Sequence, residues 1–214
     1  MKKIVIIGAN DFQNQLILKA KEMGFETHVF AWQDGSIGEK TADYFYPISI
    51  VETDAILEKC REIQPDAVTT IASDLANITV SKVAAGLGLP GNTPECIEIS
   101  TNKYAMRSAF KKAGLPTPAF YKVDHVTDEL YQMQLPIIVK PTDRSGSRAI
   151  TKITDFKDLP EAVRQAVEQS FEKKAIVEEY IEGNEYSYET ISYRGKHTNL
   201  AVTKKYTTGA PHFI

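Results

Sequence analysis

The chain has 214 residues, enough for one large domain or two smaller ones, each with its own core. Hydrophobic residues make up 43% and charged residues 25%, the balance of an ordinary soluble globular protein. A formal net charge of -3 gives no general attraction to nucleic acid or to an anionic membrane, so a polyanionic ligand would need a local cationic site.

The first ninety residues alternate strand and helix. KIVIIG predicts a buried strand, its apolar run too short for a signal peptide or a membrane span. FQNQLILKAKEMG follows as an amphipathic helix closed by Gly24. ETHVFAW and DYFYPIS predict two further strands. TDAILEKCREI predicts a helix capped by Thr53 or Asp54, with Cys60 in its apolar face. DAVTTIA and NITVSKVAAGLG add another strand and another helix. This rhythm is that of a parallel, doubly wound α/β sheet, which binds ligands beyond the carboxyl ends of its strands. Asn10 and Asp74 occupy such positions and are candidate substrate contacts; loop capping is the alternative for both. A dinucleotide site would want G-x-G-x-x-G after the first strand, and only Gly8 is there, which weighs against a nicotinamide or flavin enzyme.

LGLPGNTPECIEISTNK, rich in Gly, Pro, Asn and Thr, reads as a linker. KYAMRSAFKKAG then predicts a helix ended by Gly114 and Pro116. PAFYKV predicts a strand, TDELYQMQ a helix, and PIIVK a strand ending on Lys140. A short strand, the helix LPEAVRQAVEQSF and the strand AIVEEYI come next. The last two strands, EYSYETISYRG and HTNLAVTKKY, alternate in period two, as antiparallel strands with one solvent-facing side do, around a tight turn at Arg194–Gly195. The second half is α+β. Cys60 and Cys96 are far apart, with no CxxC motif and no nearby His pair. Two free thiols suit a reducing cytosol, and the expected location is cytoplasmic.

The chemistry gathers around Lys140. A lysine at the end of an apolar run wants a partner for its charge, and the loop Arg144, Ser145, Gly146, Ser147, Arg148 can bring backbone N–H groups close to phosphate oxygens. A Walker A loop would place the lysine after the glycines and at a helix start, so this is a different arrangement. The order strand, lysine, small-residue loop, strand, followed by VEEYIEGNEYS, resembles the ATP-grasp superfamily over essentially the whole chain. The likeness is to its carbamoyl-phosphate synthetase, biotin carboxylase and amino-acid ligase branches.

That resemblance implies a Rossmann-like pre-ATP-grasp domain over residues 1–90, a linker and helix over 91–114, and the ATP-grasp N-terminal subdomain with the start of the C-terminal one over 115–214. It implies that Lys103 and Lys140 contact phosphates and that residues 144–148 close over them. Glu178 would accept from the adenine amino group, backbone groups of Glu179 and Ile181, on either side of Tyr180, would complete the adenine contacts, and Glu185 would accept from the ribose hydroxyls. Lys205 aligns loosely with a substrate-side lysine, and His212 is a candidate substrate ligand or general base, with a structural role as the alternative. The implied activity is an ADP-forming ligase that joins a small carboxylate to an amine or thiol through an acyl phosphate, using ATP and Mg²⁺, with a homodimer admitted. The rival is a nucleotide-binding module or partner subunit without turnover. The metal-binding acids of the superfamily are expected downstream of Ile214, so the chain is expected to be a fragment, inactive alone, with its C-terminal subdomain truncated.

Overall fold

The computed structural model describes residues 1–206, in two compact units that divide between Thr101 and Asn102. The first unit runs β1 (Lys3–Ile7), α1 (Asp11–Glu22), β2 (Glu26–Phe30), α2 (Gly38–Thr41), β3 (Tyr44–Tyr46), α3 (Thr53–Ile63), β4 (Ala67–Thr69), α4 (Asp74–Gly86) and α5 (Pro94–Thr101). Its four strands are all parallel, in the order β3-β2-β1-β4. Helices cover both faces of this sheet, which is why β1 is apolar without alternation. Val5 and Ile7 pack with Ile56, Cys60 and Val83 on one side, and Ile6 with Ile17, Ala20 and Val29 on the other. Burying each such aliphatic side chain contributes about 1.5–3 kcal/mol.

Local chemistry sets the helix starts. Asn10 caps α1, its side chain accepting from the backbone N–H groups of Phe12 and Gln13 while the Gln13 amide oxygen accepts from the Asn10 N–H. Gly8 precedes this cap with φ +105°, and a Cβ there would stand 2.9 Å from the Gln13 side chain. The expected cap of α3 by Thr53 or Asp54 is corrected: Glu52 holds the N-cap position without a side-chain cap, because its carboxylate reaches back to the Ser49 N–H at 2.8 Å. The stretch read as a linker holds the division between the two units and, before it, a further helix. Thr93 accepts from the Cys96 N–H at 3.2 Å and opens α5, whose Ile97 is buried.

The second unit runs α6 (Lys103–Lys112), β5 (Phe120–Val123), β6 (Ile137–Pro141), β7 (Thr151–Ile153), α7 (Leu159–Gln169), β8 (Ala175–Glu179), β9 (Glu185–Tyr193) and β10 (Lys196–Lys205). Strands β5-β8-β6-β7 form one antiparallel sheet in that order, and β9-β10 form a separate hairpin. Helix α7 lays Leu159, Ala162, Val163 and Ala166 against Ile137, Val139, Ile153 and Val177. Alternation along the strands therefore sends Ile138, Lys140, Lys152 and Glu178 to the opposite face. The helix expected over TDELYQMQ is a short 3-10 turn, Asp128–Gln132, with Leu130 as its single buried anchor and no apolar stripe to sustain more. Arg194 and Gly195 both have positive φ, the backbone of a tight two-residue turn. The expected division of the hairpin into a covered and a solvent-facing side is corrected: Ser187 is half-buried, and every other residue of the two strands is exposed. Among the described residues, the two strands form a sheet of their own, and neither face of it is covered.

Candidate functional site

Glu178 is the organising group of the second unit. It stands at the end of β8, opposite Ile138 on β6, and is only 2% exposed although it is an acid. Two cations hold it there. Arg107, from α6, donates through Nε to Oε2 at 2.8 Å, and Lys140, from β6, donates through Nζ to Oε1. Burial pushes the carboxyl up, but the hydrogen bond from Arg107 and the charge of Lys140 outweigh it, so the group stays below its ordinary value and is ionised at neutral pH. An isolated ionised acid at this depth would be costly; flanked on both oxygens it is stable.

Helix α6 is fixed from its first residue. The Asn102 side chain caps it by accepting from Tyr104 and Ala105, and also donates to Glu172. The Lys103 N–H donates to the Thr142 carbonyl at 2.7 Å, and its ammonium donates to the Arg144 carbonyl at 2.5 Å. The next residue, Tyr104, packs edge-on against Phe120 of β5. These contacts aim Arg107 at Glu178.

The loop after β6 is built on a rigid stem. Asp143 accepts from the backbone N–H groups of Phe171 and Glu172, and the Arg144 guanidinium lies 4.3 Å over the Phe171 ring. Beyond the stem, Gly146, Ser147 and Ala149 all have positive φ, so the chain turns sharply where Ser145, Gly146 and Arg148 are exposed. The segment after β8 is tied from both sides. Glu179 donates its N–H to Ala119 and Tyr180 donates to the Pro136 carbonyl, which, being a proline's, has no N–H to return.

Together these elements enclose a cleft of about 610 Å³, a volume suited to a small-molecule ligand. Of the residues expected from sequence, Lys140, Ser147, Glu178, Glu179, Tyr180, Ile181, Glu185 and Lys205 line it. Lys103 and Arg144 stand on the loop stem, and Ser145, Gly146 and Arg148 are on the loop outside the lining. Lys205 and Glu185 face each other across the first pair of the hairpin, 3.3 Å apart. His212 lies outside the described residues. Two lining cations were not expected. Arg107 is four residues past Lys103 on one helix face, a spacing legible in KYAMR. Lys152 pairs with Ile138 in the sheet, and its ammonium lies 3.7 Å over the Tyr180 ring and 3.7 Å from Glu182. Among the described residues, no group of three or more His, Cys, Asp or Glu side chains is arranged to hold a metal ion.

The first unit has a smaller cavity of about 360 Å³ at the carboxyl ends of its strands, with Asn10, Gln13, Trp32, Asp34 and Ser73 in its wall. Asn10 is there as the cap of α1. Asp74 is the exposed first residue of α4 and is outside the lining, while its neighbour Ser73 caps that helix through the Ala76 N–H.

The sequence pattern of the ATP-grasp domain matches residues 100–212, more than half of the chain and the whole of the cleft. The chain belongs to the ATP-grasp family. Its fold matches that of an L-amino acid ligase from Bacillus licheniformis, with a TM-score of 0.84 and 25% identity, over 100% of this chain and 53% of that one. Among curated proteins, a formate-dependent phosphoribosylglycinamide formyltransferase of Prochlorococcus marinus is 22% identical over 90% of this chain and 51% of its own length. A D-alanine–D-alanine ligase B of Chromobacterium violaceum is 32% identical over 53% of this chain and 38% of its own length. The chain thus spans about half, or less, of each of these three proteins. Among the described residues, no helix is long and apolar enough to cross a membrane.

Proposed function

We propose that this ATP-grasp chain binds ATP in the cleft of its second unit and serves an ADP-forming ligase that joins a small carboxylate to an amine. One observation carries the reading: Lys140, at the edge of the loop, and Arg107 converge on a buried, ionised acid in a cleft that the ATP-grasp match covers. A strand face on which Lys140 and Lys152 stand beside Ile138, with Arg107 next to them, suits a nucleotide, with phosphates toward the lysine and the base against the sheet. In the proposed assignment, Lys103, Lys140 and the loop 144–148 serve the phosphates. Glu178 and the segment through Tyr180 to Ile181 serve the base, and Glu185 the ribose. The cavity at Asn10 is the candidate place for a substrate.

The reaction follows from the ligand. A carboxylate oxygen attacks the γ-phosphorus, the bond to the β-phosphate oxygen breaks, and ADP leaves with that electron pair. The amine nitrogen then attacks the acyl carbon, phosphate departs, and the nitrogen loses a proton. This chain's contribution is positioning and charge: lysines neutralise phosphate oxygens, and the loop excludes water. Mg²⁺ would travel with the triphosphate, since residues 1–206 contain no acid cluster to hold it by themselves. The L-amino acid ligase and D-alanine–D-alanine ligase likenesses favour an amino acid as the carboxylate.

The test follows one oxygen atom. With a heavy-oxygen-labelled carboxylate, the full-length protein is expected to release inorganic phosphate carrying one label per turnover. Unlabelled phosphate together with product would contradict the acyl-phosphate route.

A further inference from the structure

Lys140 has an acid partner within the chain itself. Its ammonium donates to Glu178 Oε1, while Arg107 Nε holds Oε2 at 2.8 Å. The two cations come from different elements, β6 and α6, and each holds a different oxygen of the carboxylate. Lys140 reaches the carboxylate along the cleft wall, and the loop residue Ser147 lines the same cleft. A phosphate entering there competes with Glu178 for one ammonium, since both are anionic acceptors of charge-assisted hydrogen bonds. With Lys140 gone and nothing else present, Glu178 would be a 2%-exposed carboxylate with one open oxygen. Arg107 prevents that from being prohibitive, because it stays paired to the other oxygen.

Resting on the nucleotide reading above, we infer that Lys140 is exchanged between Glu178 and the nucleotide phosphates, that Arg107 is the positioning residue holding Glu178 through the exchange, and that the Oε1 lone pair so released accepts a hydrogen bond from the amino group of the base. Base recognition is then conditional on phosphate. Adenosine alone meets an acceptor already occupied by Lys140; with phosphates in place the acceptor is open. Two parts of one ligand are coupled through a single lysine, over and above their separate contacts.

The coupling is measurable in the unmodified protein with two separate probes. Calorimetry of adenosine binding, without and with saturating inorganic tripolyphosphate, is expected to show adenosine binding about tenfold more tightly when tripolyphosphate is present. In Lys140→Ala the linkage should vanish, and adenosine alone should bind at least as well as it does to the parent. In Arg107→Met, Lys140 is the only counter-ion left to Glu178 and is held by it, so tripolyphosphate binding weakens; Arg107→Lys restores it. Adenosine affinity indifferent to tripolyphosphate in the parent protein, with ATP still bound, overturns the exchange and leaves the nucleotide reading standing. Arg107→Met and Arg107→Lys binding tripolyphosphate alike overturns the role of Arg107. Failure of ATP and tripolyphosphate to bind at all removes the nucleotide reading, and the exchange with it.

Discussion

Arg107 and Glu178 lie 71 residues apart in the chain, yet the arginine Nε stands 2.8 Å from the carboxylate Oε2, and both residues line the cleft. The pair ties α6, the helix that begins the second unit, to the last residues of a central strand. Its acid is almost fully buried, and its arginine is three-quarters covered.

Breaking that pair should be felt in stability. Arg107→Met leaves Glu178 with Lys140 alone, and losing one charge-assisted hydrogen bond to a buried acid costs about 1.5–3 kcal/mol. Urea unfolding of the second unit should shift to lower concentration without a change in slope. Unfolding indistinguishable from the parent would mean that the pair adds nothing net.

The fold of the first unit was largely legible in the sequence, because a parallel sheet covered on both faces writes itself as apolar runs such as IVII, and Gly24 marks a helix end. The second unit was legible in part. Lys140 stood out as a charge at the end of an apolar strand, and Glu178 was reached through the likeness to the ATP-grasp superfamily. Arg107 did not, although its four-residue spacing from Lys103 was in plain view, because a cation on a half-exposed helix usually faces solvent. Lys152 was hidden in a strand of three residues, where only the burial of Ile153 shows which way its neighbours point. The α5 helix was masked by the Gly and Pro residues just before it. The hairpin alternates as a half-buried sheet should, and sequence alone does not say what covers it.

Acid should loosen the first unit through Asp43. Its carboxylate accepts from the Thr27 N–H and hydroxyl at 2.9 and 2.8 Å and pairs with Lys21 at 2.8 Å. The Lys21 contact is the largest of the causes that bring it down from 3.8 to about 2. A carboxyl depressed in the folded state contributes stability that is present above its unfolded value and lost as pH falls through its folded one. The parent protein should therefore lose stability between about pH 4 and pH 2 more steeply than Asp43→Asn. Parallel curves for the two proteins over that window would exclude the contribution.

The two thiols should differ sharply in reactivity. Cys60 is fully buried in the first-unit core, and burial pushes its thiol up to about 12, whereas Cys96 is exposed. Since the thiolate is the reacting form, a thiol reagent at neutral pH should modify Cys96 alone in the folded protein. Cys60 should react only with the rate of unfolding. Prompt modification of both, read by peptide mass, would place Cys60 outside the core.

The central claim is that the cleft around Lys140 receives the phosphates of ATP. Titration calorimetry of ATP against the parent chain and Lys140→Ala tests it most directly. Loss of one ionic contact to phosphate costs about 1.5–3 kcal/mol, so the variant should bind ATP roughly ten- to a hundredfold more weakly while melting as a folded protein. Equal affinity for ATP in the two proteins would contradict the claim.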